Sequence, residues 1–382
     1  MGAALSNPIS SACFDLPTDD EPAKPSVDAS SQSTLNASDT SAATSAVKDS
    51  DKESRLLRPC GCHRVFPPPC TSAPFNDTPR NRETLKRCIE ALDTWPKLDD
   101  LYMVDGGPGK IIFPSRSDIA IKIADRYGFA EASTMRWVAK HTSVPVPKVI
   151  TALEVDGTKY IVMERPRGKP LGDSFERRSV KSRRRIYEQL KAMVDDMRAA
   201  PCPAGVRFEN VDGGPLNSRE INTDGGQEMA PGTYGPCSTI SALEHQLFRD
   251  TLHKEPYNSS ALDAEELANP DRPRLPSPLD EMATYPDDQC PPPVFTHGYL
   301  VDLNVWVDGD QITDILGWQG AGWWPDYWEY TQVKLCWWRL KDWKAEFPEY
   351  LTPYPRGLRL LSFREKNYFG CSCQRGNDDH QH

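Results

Sequence analysis

Two parts of the chain carry polar residues whose types could support chemistry. Lys122 lies inside the apolar run I-A-I-K-I at 119–123, and an ammonium group in such a strand is costly to bury without a partner. Such a lysine either has a partner for its charge or lies on an edge strand from which its ammonium group reaches water. Further along, His297 and Asn304 share one loop, where we expect the imidazole to order the loop through its ring nitrogens. An amide such as Asn304 commonly bonds neighbouring backbone in such loops.

The elements that position these residues run from strands to helices along the chain. Short apolar runs separated by turn residues predict an antiparallel meander, followed by a hairpin of Val149–Val155 and Lys159–Glu164 that turns at Asp156-Gly157. Further short strands are expected at 294–295, 305–307 and 312–316. Apolar residues at helical spacing predict helices over 82–92, 128–141, 179–199, 240–252 and 329–343. This order predicts an α+β fold with a small antiparallel β N-lobe and a larger, mainly helical C-lobe.

Composition divides the chain further. Residues 1–55 are rich in Ser, Thr, Ala and Asp and poor in aromatics, so we expect a disordered tail. A Pro/Cys-rich lead-in is expected over 56–80, the N-lobe with its hinge over 81–165, and the C-lobe over 166–370. The C-lobe contains an irregular Pro/Gly-rich insertion over 205–293, and a polar tail follows at 371–382.

The overall charge limits the classes of molecule that this protein is expected to bind. The 382 residues include 45 Lys+Arg and 55 Asp+Glu, for a formal net charge of -10. A protein this acidic is not expected to grip nucleic acid through its overall charge. No apolar run reaches the 18 residues that a transmembrane helix requires. We therefore expect a cytoplasmic protein with a small-molecule or protein partner.

The N-terminus and the cysteines allow weaker interpretations. Met1-Gly2 followed by Ser6 matches the N-myristoylation pattern, which makes Gly2 a lipidation candidate and membrane association an alternative location. The run C-G-C-H at 60–63, with Cys70, is a poor match to the spacing of zinc sites. The 11 cysteines are expected to be reduced thiols. We expect no metal site of this type.

Several segments together resemble a known family. T-S-V-P-V-P-K-V at 142–149 and Y-I-V-M-E at 160–164 are similar to segments of the aminoglycoside phosphotransferase and choline kinase-like proteins, the first to fungal members especially. F-T-H-G at 295–298 resembles the opening of that family's catalytic loop. A-G-W-W-P-D-Y-W-E-Y at 321–330 resembles the segment after its metal loop. The resemblance covers roughly residues 80–345 and implies the two-lobed protein-kinase-like fold.

The resemblance also implies roles for individual residues. Lys122 and Glu131 match the family's ion pair, Glu164 its hinge, and Asn304 a position that contacts nucleotide and metal. If Glu131 does not pair with Lys122, it is an ordinary surface acid. ATP and Mg²⁺ would be the cofactors of such a site. The turn-rich segment at 105–109 could contact nucleotide, although its D-G-G-P-G pattern does not match known phosphate loops and glycines between strands usually form simple turns.

Two carboxylates that the family pattern requires are missing. The catalytic loop H-G-D-L-x-x-x-N reads H-G-Y-L-V-D-L-N here, so Tyr299 stands where the base belongs, and a phenol is protonated at neutral pH. The metal loop I-[IV]-D-W-E reads I-L-G-W-Q, so Gly317 stands where a magnesium ligand belongs and Gln319 replaces the following acid. Asp302 could be a surrogate base only if the loop re-formed. Asn304 alone is a weak ligand for Mg²⁺.

These departures lead to three hypotheses. The first is a catalytically impaired, pseudokinase-like protein that acts as a binding or regulatory module, with weak or lost affinity for ATP and Mg²⁺. The second is an active phosphotransferase that uses a rearranged site to phosphorylate a small-molecule hydroxyl. The third is a lipid-anchored adaptor, based on Gly2 and the N-terminal tail. The clustered tryptophans of the C-terminal third could line an acceptor pocket, but such residues more often form the core.

Overall fold

A computed structural model describes residues 10–17, 72–92, 101–103, 110–114, 117–124, 128–203, 205, 207–218, 232–252, 291–335 and 341–369. Gly2, the turn-rich segment at 105–109, the cysteines between 60 and 70 and the tail at 371–382 lie outside these residues, as do large parts of the 205–293 insertion.

The N-lobe is built on a five-stranded antiparallel sheet whose strands are ordered β1-β2-β3-β5-β4. Its strands are β1 (Leu101–Met103), β2 (Lys110–Ile112), β3 (Ile119–Ala124), β4 (Val149–Val155) and β5 (Thr158–Glu164). Helices α1 (Pro79–Leu92) and α2 (Ala130–His141) accompany the sheet. Because β3 lies between β2 and β5, its residues have paired backbone on both sides, and Lys122 is opposite Ile111 and Ile161.

The β4–β5 hairpin has the expected turn. Asp156 and Gly157 have φ values of 49° and 77°, and two positive φ values in a two-residue loop suit the right-handed twist of the flanking strands. Val155 pairs with Thr158 directly across this turn. The strand boundaries of β4 agree with the sequence prediction, and β5 begins one residue earlier than predicted.

The C-lobe contains most of the remaining helices. Its elements are β6 (Lys169–Pro170), α3 (Val180–Ala199), β7 (Leu216–Ser218), β8 (Gly232–Tyr234), α4 (Ile240–Leu252), β9 (Val294–Thr296), β10 (Val305–Asp308), β11 (Gln311–Ile315), β12 (Gly322–Trp324), α5 (Trp328–Leu335), α6 (Lys341–Glu346) and α7 (Pro355–Phe369). The α+β class of a two-lobed protein-kinase-like fold is confirmed. Ser179 caps α3 by accepting from the Ser182 amide, which satisfies one of the open donors of the first turn.

The expectation of disorder up to residue 55 is wrong for residues 10–17. Ser11–Cys13 form a 3-10 turn, and the Phe14 side chain is 3% exposed within the cluster on the outer face of the N-lobe sheet. Ser11 donates from its amide and its hydroxyl to the two carboxylate oxygens of Asp118. Composition describes the average of the tail, whereas one aromatic anchor flanked by hydrogen bonds is enough to order a short segment.

The Pro/Cys-rich lead-in was expected to be unpacked up to residue 80, and this is wrong for its last part. Phe75 forms an antiparallel bridge with Ala152 of β4, and α1 begins at Pro79. Asn76 has φ of 50° and donates to the carbonyls of Asp15 and Ile150, so the segment links the N-terminal turn to the sheet. Ordered structure therefore begins before the predicted boundary at residue 81.

The remaining differences concern the C-lobe. The helix at 240–252 is confirmed, but the paired strands β7 and β8 of the same insertion were not predicted, because three-residue strands carry too little periodicity. The helix predicted over 329–343 is observed as α5 and α6, and residues 336–340 lie outside the described residues. Among the described residues, no helix is both long and apolar enough to span a membrane.

The tryptophans of the described C-lobe are core residues. Trp318, Trp324, Trp328 and Trp343 are among the largest fully buried side chains. Trp324 and Trp328 stack with ring centroids 3.8 Å apart. Of the two interpretations of these tryptophans, core packing agrees with their burial.

Candidate active site

Lys122 and Glu131 form a buried ion pair in the N-lobe. Lys122 is in the middle of β3, and Glu131 is in the first turn of α2, where a carboxylate is favoured by the helix dipole. The Lys122 Nζ is 2.7 Å from Oε1 and 2.6 Å from Oε2 of Glu131. Lys122 is 8% exposed on a central strand, and Glu131 is 6% exposed. The alternative of an edge-strand lysine with a surface acid is therefore wrong.

The same ammonium group also contacts the C-lobe. Lys122 Nζ donates to Gln319 Oε1 at 3.2 Å. Gln319 lies in the 3-10 turn Trp318–Gly320, which directly follows the metal-loop position. The lysine therefore has three acceptor oxygens around its three N–H groups, two charged and one neutral. Gln319 thus connects the C-lobe to the N-lobe through a polar contact with Lys122.

His297 organises the loop that follows β9. Its Nε2 lies 2.9 Å from the Leu316 carbonyl, which can only accept, and its Nδ1 accepts from the Tyr299 amide at 3.1 Å. These partners require a neutral ring with its proton on Nε2. Complete burial lowers the pKa of His297 to about 4, in agreement with a neutral imidazole. The histidine thereby ties the catalytic-loop backbone to the segment before Gly317.

Glu329, at the start of α5, holds the same loop from the other side. Its Oε2 accepts from the amides of His297 at 2.7 Å and Gly298 at 3.2 Å. Glu329 is 2% exposed, and burial raises the pKa of its carboxyl to about 7 even though these amides favour the charged form. Its second oxygen is buried without a hydrogen-bond partner among the described residues. The sequence offered only one signal for this role, an acid inside an aromatic-rich run.

Tyr299 and Asp302 are both buried within the loop. Tyr299 is 7% exposed and packs with Val301 and Leu303 in a small apolar cluster. Asp302 is 0% exposed, and its carbonyl accepts from the Gly172 amide. A surrogate base must reach the hydroxyl group that accepts the phosphoryl group. The burial of Asp302 does not favour such a role.

Asn304 and Gly317 are in close contact. The Asn304 Nδ2 donates to the Tyr299 carbonyl at 2.9 Å. Gly317 has φ of +83°, and a β-carbon built on it would lie only 2.4 Å from Asn304 Nδ2, 2.5 Å from Cγ and 2.6 Å from Oδ1. The Leu316 amide donates to the Asn304 carbonyl, which fixes the two segments side by side. The amide of Asn304 therefore fills the volume that a side chain at position 317 would need.

The residues near this position do not fit a magnesium ion. Mg²⁺ requires charged oxygen ligands in near-octahedral geometry, whereas Gly317 offers no side chain, and Gln319 and Asn304 offer neutral amides. Within the described ranges, no group of three or more His, Cys, Asp or Glu residues could hold a metal ion. Asp314, three residues before Gly317, instead accepts from the Arg167 amide, and burial raises the pKa of its carboxyl.

Two further residues are Glu164, the predicted hinge residue, and Asn217. Glu164 ends β5 with an exposed side chain, and its amide donates to the Lys148 carbonyl. Asn217 of β7 donates from Nδ2 to the Gln319 carbonyl at 3.2 Å, while its Oδ1 is buried without a hydrogen-bond partner in the described part of the chain. Sequence reasoning missed Asn217, because nothing in the irregular insertion marks it. The structure thus brings Lys122, Glu131, Gln319 and Asn217 into one contact chain.

Several of the solved structures that match this chain are phosphotransferases. A thermostable mutant of aminoglycoside phosphotransferase APH(4)-Ia, in a ternary complex with ADP and hygromycin B, is 16% identical over 75% of this chain and 91% of that chain, with a TM-score of 0.46. APH(3'')-Id from Streptomyces rimosus, in complex with ADP and streptomycin, is 14% identical over 74% and 97%, with a TM-score of 0.40. The choline kinase LicA from Streptococcus pneumoniae is 10% identical over 75% and 87%, with a TM-score of 0.41.

No curated protein has significant sequence similarity to the chain. The model of the phosphotransferase enzyme family, APH, matches residues 123–359, which is more than half of the 382 residues. The matched range begins directly after Lys122 and contains Glu131, the loop of His297 and the Asn304–Gly317 contact. The chain therefore belongs to the APH phosphotransferase enzyme family.

Proposed function

We propose that this protein is a catalytically impaired member of its family that acts as a binding or regulatory module. The observation that carries the proposal is the contact between Asn304 and Gly317, because the Asn304 amide occupies the space that the acid of the family pattern would need. Tyr299, at the position of the base, adds a second departure. The same proposal includes two further points. The protein is of the fungal type, on the basis of the segment at 142–149, and it is cytoplasmic.

The energetic argument is that phosphoryl transfer depends on positioning and charge stabilisation. Removal of one positioned electrostatic group commonly costs on the order of several kcal/mol of transition-state stabilisation. Two absent carboxylates in one site exceed what tuning of specificity would explain. The buried pair of Lys122 and Glu131 supports retention of ligand binding, because it holds the Lys122 ammonium group in a fixed position where it meets Gln319 of the C-lobe.

The experiment is a steady-state assay of phosphate release from ATP by the full chain in the presence of Mg²⁺. We expect no turnover above that of Lys122→Ala. Steady turnover that Lys122→Ala abolishes would instead establish the second candidate, an active phosphotransferase that acts on a small-molecule hydroxyl. That candidate is favoured by one observation, the intact Lys122–Glu131 pair.

A restoration experiment tests whether the residues at positions 299 and 317 limit phosphoryl transfer. Tyr299→Asp combined with Gly317→Asp returns both acids of the family pattern. Because the Asn304 amide occupies the space beside Gly317, the double variant needs that amide to rotate away. ATP turnover that appears in the double variant, and in neither single variant, would support a site that is otherwise intact.

The third candidate, a lipid-anchored adaptor, depends on Gly2 and the N-terminal tail. A single myristoyl chain gives only marginal membrane affinity, so this candidate needs a second membrane signal. Unchanged distribution of Gly2→Ala between membrane and soluble fractions of cells would remove it.

A further inference from the structure

The segment at 165–185 is strongly basic within an acidic chain. It contains nine Lys or Arg residues and only two acids, whereas the whole chain has a formal net charge of -10. The segment ends in the first turns of α3, and the first turn of that helix contains no acid. The helix dipole disfavours cations close to a helix N-terminus. The stability of α3 therefore does not explain why these charges are concentrated here.

Three arginines of the segment have carboxylate partners within the fold. Arg178 and Arg185 pair with the two oxygens of Asp310 at 3.2 and 3.1 Å, at the turn between β10 and β11. Arg183 pairs with Asp342 of α6 at 3.1 Å. These pairs link α3 to the β10–β11 hairpin and to α6, so the fold accounts for three of the positive charges.

Three other cations at the start of α3 have no such partner. Arg177, Lys181 and Arg184 are exposed, and none of them forms an ion pair with a carboxylate among the described residues. Val180, which adjoins Lys181 and is one helical turn from Arg184, is 66% exposed. We refer to these four residues as the basic surface. The basic surface thus combines positive charge with an exposed apolar side chain.

We propose that the basic surface binds a membrane that carries anionic lipid headgroups. The inference goes beyond the proposed function and does not depend on whether the protein transfers phosphoryl groups. Arginine and lysine side chains near such a membrane are attracted to its anionic headgroups. An apolar side chain among them can enter the boundary between headgroups and acyl chains. Val180 has the exposure and the position for this contact.

A membrane fits the basic surface better than an acidic protein does. Carboxylates of an acidic protein would attract the three cations, but the exposed valine among them would add nothing to that attraction. A membrane uses both the charge and the apolar side chain. The N-terminal sequence supplies a second argument, because an acyl chain on Gly2 would give only marginal membrane affinity without a further signal such as a basic patch. The basic surface provides that further signal.

The test is cosedimentation of the full chain, produced without an acyl chain, with two kinds of vesicle. One kind is phosphatidylcholine alone, and the other also contains phosphatidylserine. Because each of the three cations should contribute about fivefold in affinity, we expect partitioning onto the phosphatidylserine vesicles to be about a hundredfold stronger. High salt should remove most of this difference, because it screens the attraction between exposed charges.

Substitutions within the basic surface locate the contact. Lys181→Ala combined with Arg184→Ala should weaken binding to the phosphatidylserine vesicles about 25-fold, and Val180→Ser should weaken it about threefold. Lys86→Ala combined with Arg87→Ala is the matched control, because it removes the same two residue types from exposed positions of α1. It should bind within about twofold of wild type. All these side chains are exposed, so each variant should keep the thermal unfolding midpoint of wild type.

Three results would overturn the inference. The first is equal partitioning of wild type onto both kinds of vesicle, including no binding to either. The second is a loss of binding in the control variant as large as in the Lys181 and Arg184 double variant, because the attraction would then come from overall charge. The third is binding to the phosphatidylserine vesicles that Val180→Ser leaves unchanged and that a soluble polyglutamate peptide abolishes. That third result would identify an acidic protein segment as the partner.

Discussion

The side-chain amide of Asn304 lies where the β-carbon of residue 317 would be, 2.4 to 2.6 Å from its ideal position. The side chains that positions 304 and 317, thirteen residues apart, can carry therefore depend on each other. A glycine at 317 is required by the φ of +83° and by the amide beside it, and the amide is held in turn by the Tyr299 carbonyl.

This contact predicts an unusually costly glycine substitution. Gly317→Ala should lower the free energy of unfolding by about 2–4 kcal/mol, because overpacking adds to the strain of positive φ. Gly157→Ala is the matched control, since Gly157 has φ of +77° but no atom within 4 Å of the position that a β-carbon would take. It should cost only about 1–2 kcal/mol. Urea unfolding measures both.

A second substitution separates packing from backbone strain. Asn304→Ala removes the amide and should make Gly317→Ala less costly in the double variant than in the single one. Equal costs for Gly317→Ala and Gly157→Ala, or strict additivity with Asn304→Ala, would contradict the steric account.

The buried ion pair predicts a large loss of stability when one of its two partners is removed. Lys122→Ala leaves Glu131 buried and uncompensated and should cost about 3–5 kcal/mol of unfolding free energy. Lys191→Ala, which removes an exposed pair with Asp195 whose side chains are 49% and 58% exposed, should cost less than about 0.5 kcal/mol. Chemical denaturation gives both values. A similar small cost for the two variants would show that Lys122 is not held by Glu131 in solution.

The N-terminal turn predicts that a residue far from the family region stabilises the N-lobe. Phe14 is 3% exposed among residues of the outer sheet face, and Phe14→Ala should cost about 3 kcal/mol. Leu16, two residues later, is 57% exposed, so Leu16→Ala should leave the thermal unfolding midpoint nearly unchanged. If Phe14→Ala is as neutral as Leu16→Ala, residues 10–17 do not dock.

Glu329 predicts a pH dependence of stability. Burial raises the pKa of its carboxyl from 4.5 to about 7 in the folded protein. An acid with a higher pKa in the folded state holds its proton more tightly there, so its contribution to stability is complete below pH 4.5 and is lost as the pH rises through about 7. Glu329→Gln keeps an acceptor oxygen for the loop amides but cannot ionise.

Wild type should therefore lose unfolding free energy relative to Glu329→Gln as the pH rises from about 5 to about 8. Urea titrations at several pH values measure the difference. Glu349→Gln, an exposed acid of the same lobe, should show no such trend. A constant offset between wild type and Glu329→Gln would mean that Glu329 does not titrate in this range.

Sequence reasoning reached the positions of the strands and helices where periodicity was strong. The hairpin at Asp156-Gly157 was predictable because a two-residue turn with positive φ values selects those residue types. The pairing of Lys122 with Glu131 followed from family resemblance, but its burial depended on β3 being a central strand. The strand order of a sheet is a non-local property that local periodicity does not encode.

The sequence by itself determined which side chains are available: Tyr299 and Gly317 instead of two carboxylates, and a lysine within an apolar strand. Only the tertiary structure decided how they meet. It placed Asn304 in the volume beside Gly317, Gln319 against Lys122, Glu329 against the amides of the His297 loop, and Phe14 on the outer face of the N-lobe sheet. These contacts join residues far apart in the chain, and close packing fixes them through shape and excluded volume, which residue types and spacing do not specify.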